Sequence, residues 1–279
     1  MSVLEALKYF ILGLVQGITE ILPISSSGHV ELAKVLVGLQ EDKGLLFLIL
    51  VNTGSLVTML IIYFKRLVKI YKDFFLYIFK KESRVKTEAG FSFGLKIIVA
   101  TIPIVIVGLL FKNLLEQLTT EYSVLLSGVG LVFTGTILVL IANKKILNRN
   151  THINYLDAVL IGFAQAIAIV PGISRSGMTT STAISRGMGI DSALNFSFMI
   201  YIPASIGSVI ILIKDSFSEG LGVANNAVLF YYFLAFMAAM VSTYIAYRLI
   251  FNIFKSGKIH YFGFYCILIG LLSIGLYIF

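Results

Sequence analysis

The chain has 279 residues, of which 58% are hydrophobic and 13% are charged, with a mean hydropathy of +0.96. Soluble domains carry about 25% charged residues, so this composition excludes a soluble protein of this length. The formal net charge of +8 fits basic cytoplasmic loops. Since no stretch interleaves basic and aromatic residues as nucleic-acid grooves do, we expect no nucleic-acid partner.

The chain begins with a broken apolar region. Residues 6–37 are apolar at both ends but polar and glycine-rich in the middle, and residues 153–190 have the same pattern. Each region predicts two short helices with a break between them, which survives at membrane depth only inside protein or beside a water-filled cavity. We expect no signal peptide, because the chain lacks a basic start and Glu5, Gln16 and Glu20 interrupt the first apolar stretch.

Six further runs are each close to the length of about 20 residues that a spanning helix needs. They cover residues 45–63, 93–111, 122–142, 193–213, 227–248 and 260–279. A β-barrel would instead show alternating segments of about 10 residues. The sequence therefore predicts an all-α, polytopic protein with a single membrane domain over residues 1–279.

Clusters of basic residues predict the orientation. They are Lys65, Arg66, Lys69, Lys72, Lys80, Lys81, Arg84 and Lys86 in a predicted loop at 64–90, then Lys144, Lys145 and Arg149, then Arg248, Lys255 and Lys258. By the positive-inside rule these three segments face the cytoplasm, so that both termini lie outside.

Two stretches resemble each other and indicate an internal repeat. The stretch GLVQGITEILPISSSGH begins at Gly13, and GFAQAIAIVPGISRSGM begins at Gly162. Their matching positions are Gly, Gln and Ser, which a chance alignment of two apolar runs would not produce. Repeat one covers about residues 1–142 and repeat two about residues 152–279, each with one broken region and three spans. Because three is odd, the second copy must be inverted. The prediction is six spanning helices plus two re-entrant helical hairpins, with a site where the breaks meet near the midplane.

Each break has the residues of a helix start. Pro23 ends the preceding helix, and a helix beginning near Ser26 would point unpaired N–H groups and a positive dipole end into the cavity, which suits phosphate. Gly28 allows close backbone approach. In the second break, Arg175 stays charged and grips phosphate as a bidentate fork. An arginine at membrane depth costs roughly 2.5 kcal/mol or more, so it needs an anionic partner.

Reactive side chains surround the first break. Gln16 and Glu20 are four residues apart and share a helix face. Ser26 and His29 are three apart, so the imidazole could reach the hydroxyl and act as its base. Glu20 could orient His29, or help to hold a divalent cation on substrate phosphates.

The same residue types also have structural explanations. Serines at a helix start often only cap it, a lone membrane histidine often satisfies a carbonyl, and Gln16 could make a helix–helix hydrogen bond. Gln165, its repeat partner, has no nearby carboxylate and is expected to be structural. Asn52, Pro103 and Pro203 stay unassigned. The combination in both repeats favours the functional interpretation.

These motifs resemble those of the undecaprenyl-diphosphatase family, the bacitracin-resistance type of membrane phosphatase. QGITE at 16–20 is similar to its (Glu/Gln)-x-x-x-Glu motif, PISSSGH at 23–29 to its Pro-x-Ser-Ser-(Ser/Thr)-Gly-His stretch, and PGISRSGMT at 171–179 to its Pro-Gly-x-Ser-Arg-Ser-Gly-x-(x)-Thr stretch. The resemblance covers essentially the whole chain. It implies hydrolysis of undecaprenyl diphosphate to undecaprenyl phosphate and inorganic phosphate, which recycles the lipid carrier for peptidoglycan and removes the target of bacitracin.

The resemblance also implies roles for particular residues. The expected catalytic residues are Glu20, Ser26, His29 and Arg175, and the expected substrate-binding residues are Gln16, Ser25, Ser27, Gly28, Ser174, Ser176, Gly177 and Thr179. The site is expected on the outer side of a bacterial plasma membrane. Position 16 is Gln where many members have Glu, which weakens a two-carboxylate metal site. A requirement for Mg²⁺ or Ca²⁺, with Glu20 as a ligand, therefore stays open, and no organic cofactor is expected.

Two functions from different classes remain. Inverted repeats with midplane half-helices are also transporter architecture, so the alternative is a transporter or flippase for a polyprenyl phosphate. The cluster of Glu20, Ser26 and His29 favours the hydrolase, because a carrier needs anion ligands but no nucleophile or base. The expected partners are the polyprenyl diphosphate and membrane lipids. The sequence decides neither between Ser26 and water as nucleophile nor whether the chain forms a homodimer.

Overall fold

The computed structural model describes residues 2–39, 45–142, 152–218, 226–256 and 258–278, and over these ranges the regular structure is entirely helical. The helices are α1 (Val3–Ile21), α2 (Ser26–Val37), α3 (Leu45–Phe79), α4 (Arg84–Leu110), α5 (Lys112–Ala142), α6 (Tyr155–Ile167), α7 (Arg175–Ser185), α8 (Ile190–Ser218), α9 (Asn226–Lys255) and α10 (Ile259–Ile278).

Six of these helices are long and apolar enough to cross a membrane, in agreement with the six predicted spans. The helices that contain an apolar stretch of this length cover Leu46–Phe79, Lys81–Leu110, Glu121–Ala142, Ile190–Ser216, Asn226–Phe254 and Ile259–Ile278. The two predicted broken regions are also helix pairs, α1 with α2 and α6 with α7. Thus the all-helical, multi-pass architecture follows from the apolar runs. One helix pair, α1 with α2, precedes the six long helices, and the other, α6 with α7, lies between the third and the fourth of them.

The basic segment 64–90 is helical, which corrects its prediction as a loop. Helix α3 continues to Phe79, a 3-10 turn follows at Lys81–Ser83, and α4 begins at Arg84. Lysine and arginine are good helix formers, and apolar residues between them let the two helices pack together, with the rings of Tyr77 and Phe91 stacked 4.1 Å apart. The basic residues of this segment therefore lie on a helical hairpin formed by the end of α3 and the start of α4. The second basic cluster, at 144–149, lies outside the described residues.

Close helix crossings anchor both helix pairs to the long helices. A Cβ on Gly13 of α1 would lie 2.2 Å from the carbonyl oxygen of Ala235 on α9. A Cβ on Gly162 of α6 would lie 2.5 Å from the carbonyl oxygen of Ala100 on α4. Neither distance admits a side chain, so these two glycines fix where α1 and α6 cross their neighbours.

Candidate active site

Helix α2 begins at Ser26 and α7 begins at Arg175, which confirms the predicted helix starts. The two N-caps make the same hydrogen bond, although Ser25 has φ +70° and Ser174 has φ -74°. Ser25 Oγ accepts a hydrogen bond from the N–H of Gly28 at 3.4 Å, and Ser174 Oγ accepts one from the N–H of Gly177 at 3.1 Å. Both helices therefore keep the remaining N–H groups of their first turns available at the breaks.

The two breaks touch each other. Ser176 Oγ donates to the carbonyl of Leu22 at 3.1 Å, and the N–H of Gly172 donates to Ser27 Oγ at 3.5 Å. Gly172 has φ +83°, and a Cβ there would lie 2.1 Å from the carbonyl oxygen of Ser127, so only glycine fits. These contacts bring residues far apart in sequence into one site.

Glu20 is the centre of this site. Its side chain is 3% exposed, and its Oε1 accepts a charge-assisted hydrogen bond from Arg175 Nη2 at 3.1 Å. Its Oε2 accepts from the hydroxyl of Ser26 and, at 2.9 Å, from the amide of Gln16. A buried carboxylate is stable only when paired and hydrogen-bonded, and these three donors meet that requirement. The structure thus brings together four of the predicted site residues.

Arg175 is held by two side chains of α8 that the sequence analysis did not mark as site residues. Its Nη1 donates to Ser205 Oγ at 3.1 Å, and its guanidinium lies 4.9 Å from the ring centre of Tyr201, both on α8. Its side chain is 26% exposed, against 3% for Glu20, so the guanidinium is the part of the ion pair open to a ligand.

On α3, Asn52 accepts from the amide of Gln16 at 3.1 Å. Ser205 and Asn52 are polar residues within apolar runs, which is the only signal that could have marked them.

His29 does not take the partners expected from its spacing. Its Nδ1 lies 2.8 Å from the carbonyl oxygen of Ser25, and its Nε2 lies 2.9 Å from the hydroxyl of Tyr265. Because a carbonyl only accepts, Nδ1 carries the proton, and the Nε2 of a neutral ring accepts from Tyr265. The hydroxyl of Ser26 instead donates to Glu20. The expected contacts of His29 with Ser26 and of Glu20 with His29 are therefore replaced by others.

The remaining predicted binding residues have partners within the protein. Thr179 donates to the carbonyl of Arg175 at 2.8 Å and hydrogen-bonds Ser197. Ser174 is buried, and its N–H donates to Thr134 Oγ1 at 2.9 Å. Ser27, in contrast, is exposed at the break. Thus Thr179 and Ser174 hold the breaks in shape, whereas the open face of the site carries Ser26, Ser27 and the Arg175 guanidinium.

Among the described residues, no three His, Cys, Asp or Glu side chains come together. The donors at the site are the single carboxylate of Glu20 with the hydroxyl of Ser26 and the side-chain oxygen of Asn52. Such a set fits Mg²⁺ only as a bridge to the phosphate oxygens of a substrate, since Mg²⁺ in phosphate sites is held by one or two carboxylates plus the substrate.

The chain is similar to known proteins over almost its whole length. A family model described as bacitracin resistance protein BacA matches residues 9–272. Undecaprenyl-diphosphatase 2 of Bacillus thuringiensis (strain Al Hakam) is 40% identical over 269 residues, which are 96% of this chain and 96% of that protein. The undecaprenyl-diphosphatase of Oceanobacillus iheyensis is 39% identical over 268 residues, or 95% of this chain and 94% of that protein.

A third relative, undecaprenyl-diphosphatase 1 of Halalkalibacterium halodurans, is 37% identical over 270 residues, covering 97% of this chain and 96% of that protein. The matched stretch includes both breaks and all four residues that meet at Glu20. The family match also covers five of the six long apolar helices completely and the sixth as far as residue 272. The chain therefore belongs to the BacA family of bacitracin resistance proteins.

Proposed function

We propose that this protein hydrolyses undecaprenyl diphosphate to undecaprenyl phosphate and inorganic phosphate. The observation that carries the proposal is the Glu20 carboxylate, whose two oxygens contact the Arg175 guanidinium and the Ser26 hydroxyl. A cation that can bind the diphosphate and a hydroxyl that can act as nucleophile thus contact the same carboxylate, and that carboxylate can act as the base. The names of the relatives, all undecaprenyl-diphosphatases, support the same substrate.

The proposal includes an inverted repeat with two re-entrant hairpins. Gly13 and Gly162 are repeat partners, and they make equivalent close crossings, α1 on α9 and α6 on α4. Each hairpin thus packs on a long helix of the opposite repeat, as expected for two intertwined copies. In this arrangement the site opens outward, opposite the basic ends of the helices, in the plasma membrane of a bacterium.

Substrate binding breaks the ion pair between Arg175 and Glu20, because the diphosphate takes the place of the carboxylate as the partner of Arg175. The diphosphate accepts hydrogen bonds from Arg175 and from the free N–H groups at the starts of α2 and α7, whose dipoles favour an anion. The guanidinium then leaves Oε1 of Glu20 while it stays on Ser205 and over the ring of Tyr201. Binding therefore frees one oxygen of the carboxylate next to the serine hydroxyl.

Glu20 then acts as the general base. Ser26 Oγ attacks the terminal phosphorus, the proton of the hydroxyl passes to Glu20, and the bond from phosphorus to the bridging oxygen breaks. Undecaprenyl phosphate leaves, and Arg175 stabilises the charge on the transferring phosphoryl group. Protonated Glu20 releases its proton to solution before the second step. Water then attacks the phosphoserine while the Glu20 carboxylate takes a proton from it, Glu20 returns that proton to Ser26 Oγ as the bond between this oxygen and phosphorus breaks, and inorganic phosphate leaves. The competing route is direct attack by water with Glu20 as base.

A divalent cation has a defined place in this proposal. Glu20 would hold it together with the substrate phosphates, and the ion would neutralise phosphate charge. Gln16, which donates to the carboxylate at 2.9 Å, orients Glu20 whether or not an ion is bound. The role of His29 is positional, because its contacts tie the first turn of α2 to Tyr265 on α10.

Phosphate release from undecaprenyl diphosphate by the purified full chain tests the proposal. We expect multiple turnovers, which Arg175→Ala abolishes. The alternative is a transporter for a polyprenyl phosphate, favoured by the reciprocal packing of Gly13 and Gly162. Folded protein that releases no phosphate but moves undecaprenyl phosphate across a vesicle membrane would replace the hydrolase with the transporter.

A further inference from the structure

A cavity lies away from the two breaks, between α4 and the residues that directly precede α6. Its volume is about 420 Å³, within the range of ligand sites, and its polar lining comes from Glu88, Ser92, Lys96 and His152, beside the ring of Phe93. None of the residues that meet at Glu20 lines it. The mechanism proposed above therefore gives this cavity no role.

Lys96 is the unusual residue of this cavity. It is half-buried and belongs to the apolar stretch GLKIIVA of α4, where a charged side chain needs either a partner or a path to the headgroups. Its ammonium lies 5.3 Å from the ring centre of Tyr155. Within the described part of the chain, no carboxylate pairs with it. A cation held by a ring alone, at the edge of a cavity, is suited to an anionic ligand.

Basic and aromatic side chains lie next to each other beside the cavity. The apolar run of α3 ends at Phe64, directly before Lys65 and Arg66. The guanidinium of Arg66 lies 5.0 Å from the ring centre of Phe93, which lines the cavity. Aromatic rings and basic side chains occur together where a bilayer meets water, and basic pockets between helices at that depth bind anionic headgroups.

We propose that this cavity binds the phosphate headgroup of a membrane lipid, with Lys96 as the cation that contacts the phosphate. Ser92 is a further donor at the same cavity. The ligand class is a lipid phosphate, either a glycerophospholipid of the surrounding leaflet or a polyprenyl phosphate. The proposal does not depend on the hydrolase, because its site shares no residue with the cluster around Glu20.

The test is lipid binding to the purified full chain, measured by native mass spectrometry from neutral detergent. The variant is Lys96→Gln, and the matched control is Lys86→Gln, an exposed lysine of the same helix outside the cavity. One basic side chain contributes about fivefold to binding of an anionic lipid, so Lys96→Gln should weaken phosphatidylglycerol binding by about that factor. The control should change it less than twofold, and Lys96→Arg should retain binding.

The probes distinguish the sources of the phosphate. A larger loss of undecaprenyl phosphate binding than of phosphatidylglycerol binding in Lys96→Gln identifies a polyprenyl ligand of this cavity, and the reverse order identifies a leaflet phospholipid. Displacement of lipid by inorganic phosphate shows that the headgroup alone is recognised. Equal losses in Lys96→Gln and Lys86→Gln, or no loss in either, would overturn the proposal. If Lys96→Gln does not fold, Ser92→Ala takes its place, with a smaller but selective loss expected and unchanged affinity refuting the site.

Discussion

Replacement of Glu20 by glutamine isolates the role of its negative charge. The side chain keeps its size and still accepts hydrogen bonds from Ser26 and Gln16 through its oxygen, but it can no longer take a proton. General-base catalysis contributes about 10²- to 10⁴-fold to rate, or roughly 3–5 kcal/mol of barrier. We therefore expect kcat for phosphate release to fall by that factor in Glu20→Gln.

The cost in stability should be much smaller than the loss in rate. Loss of one partner from a fully buried ion pair costs about 3–5 kcal/mol. Arg175, however, is 26% exposed and keeps Ser205 and the ring of Tyr201 as partners. We expect about 1–2 kcal/mol, seen as a fall of a few degrees in Tm.

The assay is steady-state phosphate release from undecaprenyl diphosphate, with Tm measured on the same samples. The control is Glu31→Gln, which removes a carboxylate from α2 that pairs with Lys34 at 3.7 Å and is 32% exposed. The control should keep kcat within about twofold, since the ion pair of Glu31 is with Lys34 and not with Glu20, Ser26 or Arg175. Full activity in Glu20→Gln, or an equal loss in Glu31→Gln, would refute Glu20 as the base.

Three other substitutions have defined outcomes. Arg175→Lys keeps the charge but loses the two-pronged guanidinium contact with Glu20 and Ser205. Steady-state kinetics should therefore show a higher KM together with a kcat lowered by about 10- to 100-fold, and unchanged kinetics would contradict a bidentate role. Tyr265→Phe removes the hydroxyl that donates to His29 Nε2. The rate of phosphate release should fall by less than about tenfold, because a neutral hydrogen bond contributes about 1 kcal/mol. A loss as large as that of Glu20→Gln would instead indicate that His29 is a catalytic residue. Gly172→Ala places a Cβ 2.1 Å from the Ser127 carbonyl at φ +83°, so thermal unfolding should show a Tm lowered by several degrees, whereas a wild-type Tm would contradict the close packing of the breaks.

The sequence predicted the features that depend on neighbouring residues. The helix starts at Ser26 and Arg175 follow from proline, serine and glycine within a few positions, and the six long helices follow from apolar runs. The segment 64–90 was predicted wrongly, because its charge was interpreted as a loop although lysine and arginine favour helices. Composition alone does not distinguish a basic loop from a basic helical hairpin.

The partners of the site residues depend on contacts between distant parts of the chain. Tyr265 reaches His29 from α10, and Tyr201 and Ser205 reach Arg175 from α8. Spacing along α2 suggested that His29 faces Ser26, but the packing of α10 supplies a competing partner for the ring. Such contacts are set by how helices cross, which no local pattern encodes.

The rate of phosphate release by Ser26→Ala tests most directly the central claim, which is that Ser26 is the nucleophile and Glu20 its base. Intact-mass measurement of the wild-type chain during turnover of undecaprenyl diphosphate should show a phosphoryl adduct on Ser26, and the variant should show neither the adduct nor release above background. Wild-type rates in Ser26→Ala would contradict the account, because the hydroxyl on Glu20 would then have no part in the reaction.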